Sequence, residues 1–289
     1  MANEMPPGAF VKILRGRGWN GMCPANQFDV VFCDIDGTFL NSKHEVTEKT
    51  KREVQRIIKM GIPFVLTSSR MPEAIVTIQK MAGITQPIIA YGGGLILDQD
   101  EKIIYSQGLN PEEAFGIGSF IKNNFPDVTW NIYSGHKWLC EAPKCDRILR
   151  EEIIIEVQAE QGSLAEILQW ETVHKILCMG EPDRTSLLQE HLQNAFPALS
   201  ISKSTPNYLE ITSGTANKGN AIKTYCRLKN LSLRRTLAFG DGYNDMDMFH
   251  TAGTSYAMAN APEEIRKLVG NVTLDNDHDG IAHVIEKLF

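Results

Sequence analysis

Short apolar, β-prone runs alternate with helix-period segments near the start of this chain, and that alternation limits the fold more than any other feature. Val30-Val31-Phe32-Cys33 is a run of the kind that forms a buried strand. Residues 47–60 place Val54, Ile57 and Ile58 at i, i+3 and i+4, and Gly61 supplies a stop, so this segment reads as a helix. Residues 62–66 give a second strand. Pro72 then sits in the first turn of a helix that runs to about 82, ahead of Gly83. Residues 87–90 give a third strand, and Gly92-Gly93-Gly94 follows it. Strand, helix, strand, helix, strand implies a parallel sheet with helices on its faces.

The middle of the chain has a different grain. Residues 115–124 read as a helix, 128–133 and 137–140 as strands, and 146–148 as the opening of a helical or mixed stretch. Residues 173–179 read as a strand and 185–195 as a helix, which together describe an α+β insert. The alternating pattern then returns, with a helix at 218–226, strands at 236–239, 255–258 and 272–274, and a terminal helix at 281–288. The expected fold class is α/β, a Rossmann-like parallel-sheet core at 27–106 and 207–289 with an inserted α+β cap at 107–206. Residues 1–26 read as an N-terminal extension, since no apolar stretch of about 7–15 residues stands there as an export signal requires.

In an open parallel sheet, ligands bind beyond the carboxyl ends of the strands. Asp34, Asp36 and Ser68 all fall just after predicted strands, so all could face one crevice. In extended geometry residues i and i+2 point to one side, which would bring Asp34 and Asp36 together. One carboxylate can attack phosphorus while the other moves a proton, and Asp nucleophiles of this kind form aspartyl-phosphates. Two carboxylates repel each other and a phosphate dianion, so a cation is needed. Mg²⁺ suits oxygen ligands, and Asp241, after another predicted strand, supplies a third carboxylate. Ser68 brings a hydroxyl and Lys218 a positive charge, the kind of electrostatic help that phosphoryl transfer needs most. Gly37 and Gly242 allow sharp turns that bring N–H groups near an anion. Each fragment alone is an ordinary turn, loop or surface residue; their order on one alternating pattern carries the reading.

With these residues in order, the sequence resembles the haloacid dehalogenase superfamily, and within it the Cof-type phosphatases with a large α/β cap. The resemblance rests on Asp34-Ile35-Asp36-Gly37-Thr38-Phe39-Leu40, Ser68-Ser69-Arg70, Asn217-Lys218-Gly219 and Gly240-Asp241-Gly242-Tyr243-Asn244-Asp245. The tail, Ala257-Met258-Ala259-Asn260-Ala261 and then Asp279-Gly280-Ile281, is also similar. The resemblance implies that Asp34 is the nucleophile and a Mg²⁺ ligand. It implies that Asp36 protonates the leaving group and then activates water, while its carbonyl binds Mg²⁺. By the same resemblance Ser68 holds the transferring phosphoryl group, Lys218 neutralises Asp34 and the phosphate, and Asp241 binds Mg²⁺. Asp245 is then expected to orient that metal shell, and Asn244 to steady Lys218 or the phosphate. Ser69 and Gly93 are expected beside the substrate. Where the family often has Thr-Gly-Arg and Asn-Gly-Ala, this chain has Ser68-Ser69-Arg70 and Gly92-Gly93-Gly94.

Other residues invite two readings. Arg70 could touch substrate or form a structural ion pair, and Asp275-Asn276-Asp277-His278-Asp279 could be a metal loop or a solvated one. His136, Lys137 and Trp138 could touch the leaving group or form a turn and strand, and Glu210 could reach the substrate.

The implied activity is Mg²⁺-dependent hydrolysis of small phosphate monoesters, a sugar phosphate or similar metabolite being the expected partner. A sugar phosphomutase on the same core is one alternative. A non-catalytic sugar-phosphate binding or regulatory module is another, although binding alone does not need Asp36. A net charge of −6 argues against a chain-wide attraction to nucleic acid or anionic membrane. Forty-three per cent hydrophobic residues in 289 suffice for a sizeable core, yet no apolar run is long enough to span a membrane. The six cysteines form no CxxC pair and read as reduced thiols, so the expected setting is cytoplasmic, as a monomer or small homo-oligomer.

Overall fold

The computed structural model describes residues 27–289; the first 26, read above as an extension, lie outside the described residues. The chain opens with β1 (Val30–Cys33), α1 (Glu48–Lys59), β2 (Phe64–Thr67), α2 (Pro72–Ala82) and β3 (Ile88–Ala90), as the alternation predicts. Thr47 starts α1 by accepting a hydrogen bond from the Thr50 amide at 3.2 Å, a cap worth about 1 kcal/mol. A hairpin that the sequence reading did not resolve follows, β4 (Leu95–Leu97) and β5 (Ile103–Ser106).

The insert comprises α3 (Pro111–Asn124), β6 (Thr129–Ser134), β7 (Lys137–Cys140), α4 (Asp146–Ile155), β8 (Glu160–Gln161), β9 (Lys175–Met179), α5 (Pro182–Ala195), β10 (Leu199–Thr205) and β11 (Tyr208–Ser213). Helix α3 begins four residues before the expected 115, because Pro111 occupies its first turn and the Asn110 side chain accepts from the Glu112 amide. The core resumes with α6 (Lys218–Leu228), β12 (Thr236–Gly240), α7 (Met246–Thr251), β13 (Thr254–Ala257), α8 (Glu263–Val269) and α9 (Gly280–Leu288).

The core sheet has the order β13-β12-β1-β2-β3-β4-β5. Its pairs from β13 to β3 are parallel, and the β4–β5 hairpin closes one edge antiparallel. Strand alternation sends Val31, Cys33, Phe64 and Leu66 to one face, against Val54 and Ile57 of α1, Ile75 of α2 and Ile281 of α9. The opposite face, with Val30, Phe32 and Val65, packs on Ile222 and Tyr225 of α6 and Met248 of α7. The result is the three-layer α/β architecture that the sequence predicts.

The second sheet has the order β10-β11-β9-β6-β7-β8. Ile132, Ile176, Cys178, Leu209 and Ile211 pack under α3 and α5 on its outer face. The expected return to the core at 207 is corrected here. It falls inside the β10–β11 hairpin, and β11 pairs with β9 in the cap sheet. The apolar alternation of Leu209 and Ile211 fills the cap core, which is why the chain cannot leave before 213. A second correction concerns 272–274. In place of a strand there is a single parallel bridge, Ala257 to Val272, held by Ala257 N–H to Asn271 and Thr273 N–H to Ala257.

Candidate active site

The carboxyl ends of β1, β2 and β12 and the start of α6 meet at one point below the cap sheet. In the parallel register Cys33 lies beside Phe239 and Leu66, so the residues after each strand emerge side by side. They open into a cavity of about 900 Å³. Asp34, Asp36, Ser68, Ser69, Lys218, Asp241 and Asn244 line it from the core. Tyr133, Glu151, Lys175, Leu177, Tyr208 and Glu210 line it from the cap.

Lys218 is the hub. Its ammonium donates to Asp34 Oδ1 and, at 2.5 Å, to Asp245 Oδ1. All three side chains are almost fully enclosed, with Asp245 at 0% exposure. Asp245 uses its other oxygen to accept from the amides of Asp241 (3.0 Å) and Gly242 (2.9 Å). It therefore ties the loop after β12 to the lysine at the head of α6. Breaking such a buried group by removing one partner costs several kcal/mol, because the other charge is left unpaired.

Asp241 is held from the opposite side. Thr38 donates to its Oδ1 at 2.9 Å, and Asn260 Nδ2 donates to its Oδ2 at 3.2 Å and to the Gly37 carbonyl at 2.8 Å. The turn that delivers Thr38 is a wide loop turn at Ile35–Phe39, with non-helical backbone at Asp36 and Gly37, closed by the Leu40 amide on the Ile35 carbonyl. Gly37 allows it, with φ +77°; a Cβ there would sit 2.4 Å from Asp241 Oδ2.

Asp36 lines the same cavity as Asp34 but points to a different partner. Arg70 grips it with Nε to Oδ2 at 2.9 Å and Nη2 to Oδ1 at 2.6 Å. The ion pair read for Arg70 is formed, and Arg70 lines the cavity as well. Ser68 is buried, its amide bonded to the Ile89 carbonyl and its hydroxyl accepting from the Arg70 amide at 3.2 Å.

Several expectations are corrected by the geometry. Gly93 does not line the cavity; Gly92 does. A Cβ at Gly93 would meet the Asn217 carbonyl at 2.4 Å, so this glycine lets the loop pack against the start of α6. Asn244 lines the cavity, and of its two expected partners Lys218 is steadied by Asp245, which leaves the phosphate. His136 pairs with Glu73 across the junction of cap and core, Trp138 is buried on Asn131, and Lys137 lies over Trp170. None of the three lines the cavity. In the loop at 275–279, Asp277 accepts from the Ser42 amide and Asp279 from the Thr47 hydroxyl, so it braces the first loop. Lys175, Tyr208 and Glu151 were missed. The signal for Tyr208 lay in Tyr208-Leu209-Glu210-Ile211-Thr212, where polar and apolar residues alternate with period two.

Asp34, Asp241 and Asp245 offer oxygens within 4.8 Å of one another. Among the described residues Lys218 is the one cation bonded to any of them. Burial, and then the charge of Asp245, pushes Asp34 up to about 8. Burial pushes Asp241 up to about 6. Three crowded carboxylates facing one ammonium fit a hard divalent cation, which would favour their charged forms. Asp245 already spends both oxygens on Lys218 and two amides, which leaves Asp34 and Asp241 as the side chains placed to hold an ion.

The profile of the haloacid dehalogenase-like hydrolases matches residues 31–285. A Haemophilus influenzae relative is 30% identical over 264 residues, covering 91% of this chain and 98% of its own. Phosphatase YwpJ of Bacillus subtilis is 26% identical and covers 90% of this chain and 99% of its own. The crystal structure of a Thermotoga maritima protein superposes with a TM-score of 0.83 at 29% identity, covering 91% of this chain and 98% of that one. With the profile spanning core and cap alike, the chain belongs to the haloacid dehalogenase-like hydrolases.

Proposed function

We propose that this protein is a Mg²⁺-dependent phosphatase that hydrolyses small phosphate monoesters through an aspartyl-phosphate on Asp34. The observation that carries the reading is the enclosed Asp34–Lys218–Asp245 group on the floor of a capped cavity of about 900 Å³. Kinship with a protein named phosphatase YwpJ supports it.

Bound Mg²⁺ would neutralise charge on the phosphoryl oxygens and the nucleophile; Asp34, Asp241 and the Asp36 carbonyl are its proposed ligands. Lys218 and Ser68 bind the remaining phosphoryl oxygens, and Ser69 and Asn244 border them. Asp34 attacks phosphorus, and the ester oxygen leaves with a proton from Asp36, which must turn from Arg70 to carry one. Asp36, now a carboxylate, takes a proton from water as that water attacks phosphorus. The new P–O bond forms, the bond to Asp34 breaks, and phosphate departs. Asp245 keeps Lys218 in place during both steps. The cap lies over the cavity and supplies Tyr133, Glu151, Lys175, Leu177, Tyr208 and Glu210 to its walls, where they would meet the leaving group.

The test is phosphate release from glucose 6-phosphate, ribose 5-phosphate, glycerol 3-phosphate, pyridoxal 5′-phosphate and flavin mononucleotide, with Mg²⁺ and with chelator. Release that stops with chelator and in Asp34→Asn supports the proposal. Release that persists in a folded Asp34→Asn protein overturns the mechanism, and isomer formation without release replaces it with a mutase.

A further inference from the structure

Lys175 opens β9, and strand alternation sets it with Leu177 on the side facing the core, while Ile176 and Cys178 pack into the cap. It is 7% exposed and lines the cavity. Its Nζ donates to the Ser69 carbonyl at 3.1 Å and lies 5.0 Å from the centre of the Tyr133 ring. Among the described residues that is its one hydrogen bond, and no carboxylate lies within ion-pair distance.

An ammonium carries three donors, and burying a cation with one carbonyl partner is costly unless something else completes its shell. The contrast with Lys203, the other cap lysine on the cavity, is direct. Lys203 spends its amine on the Pro182 and Pro206 carbonyls and the Ser186 hydroxyl. Lys175 has no such set, and its anchor is the loop that carries Ser68.

We infer that Lys175 is a specificity-determining residue whose ammonium, held by the Ser69 carbonyl, donates a hydrogen bond to an uncharged acceptor oxygen on the leaving group of the ester. The inference rests on the phosphatase reading above. Glu151 and Glu210 line the same wall, and Lys175 is among the charges acting on Glu151. Those carboxylates disfavour a second anionic group on the leaving group, so a hydroxyl or carbonyl oxygen is the acceptor that fits.

The experiment compares Lys175→Met and Lys175→Arg in the Mg²⁺-loaded protein. Methyl phosphate, whose leaving group has no further oxygen, is set against the panel ester hydrolysed fastest. Loss of a charged donor should lower kcat/KM of Lys175→Met for that ester by about tenfold or more, chiefly through KM. Hydrolysis of methyl phosphate and inhibition by inorganic phosphate should stay near wild type, and Lys175→Arg should recover part of the loss. An equal loss on methyl phosphate, or no loss on either ester, overturns the inference. If the wild type hydrolyses no ester, the phosphatase reading fails separately. Calorimetric binding of the same panel esters to Asp34→Asn, with and without Lys175→Met, then decides: weaker ester binding with unchanged inorganic phosphate binding supports the role of Lys175, and any other pattern removes it.

Discussion

Arg70 holds both carboxylate oxygens of Asp36 in a two-point grip, although the two residues stand 34 positions apart. A guanidinium matches a carboxylate in this way and an ammonium does not. The Asp36 side chain is 50% exposed, so the pair adds about 0–1 kcal/mol to stability; its effect is on orientation. Arg70→Lys and Arg70→Ala should therefore melt close to the wild type. Their kcat for phosphate release should fall by about tenfold or more, as expected for loss of a charged hydrogen bond at the residue proposed to transfer the proton. An unchanged kcat in both variants would remove Arg70 from that role.

The crowded carboxylates predict how the metal-free protein responds to pH. Burial holds Asp34 at about 8 and Asp241 at about 6, both above the ordinary 3.8. A carboxyl group whose folded value is raised binds its proton more tightly in the native state. The stability it contributes is fully present below about pH 4 and is lost as the pH rises through the folded values. Lys218 stays protonated across this range and does not offset the loss. Melting curves in chelator should thus fall between pH 5 and pH 8.5, and saturating Mg²⁺ should flatten the fall. A curve with chelator that rises, or one that Mg²⁺ leaves unaltered, would count against a cation between Asp34 and Asp241.

Gly37→Ala tests the other wall of the same site. The substitution places a methyl group 2.4 Å from Asp241 Oδ2 and asks alanine to adopt φ +77°. Strain of this kind costs about 1–3 kcal/mol. Asp241 must move off Thr38 and Asn260 to relieve the contact. The Mg²⁺ concentration for half-maximal activity should rise by about tenfold or more, read from a metal titration of phosphate release alongside a melting curve.

Much of this was legible in the sequence because it depends on local chemistry. Asp34, Asp36, Ser68 and Asp241 each follow a short apolar strand, and strand ends are where an open parallel sheet gathers its ligands. Lys218 was legible through its motif alone, because nothing nearby in sequence reveals that its partners are Asp34 and Asp245. The cap was harder to read. Its sheet is largely antiparallel and its strands out of order, so β11 looked like part of the returning core. Gly93 was assigned to the substrate because a glycine run says that backbone comes close to something. It does not say whether that neighbour is a ligand or, as here, the Asn217 carbonyl.

The partners of the site are far apart along the chain: Lys218 and Asp34 by 184 residues, Thr38 and Asp241 by 203. During synthesis, Asp34 leaves the ribosome long before any of its partners exist. Until β12 inserts beside β1, that strand lacks one hydrogen-bonded edge and its terminal aspartate has no counter-charge. Such distant pairings are slow to form. A chain halted between residues 35 and 240 therefore carries Asp34 but neither Asp241 nor Asp245, so the pocket proposed for metal and phosphate arises only after residue 245 has been made.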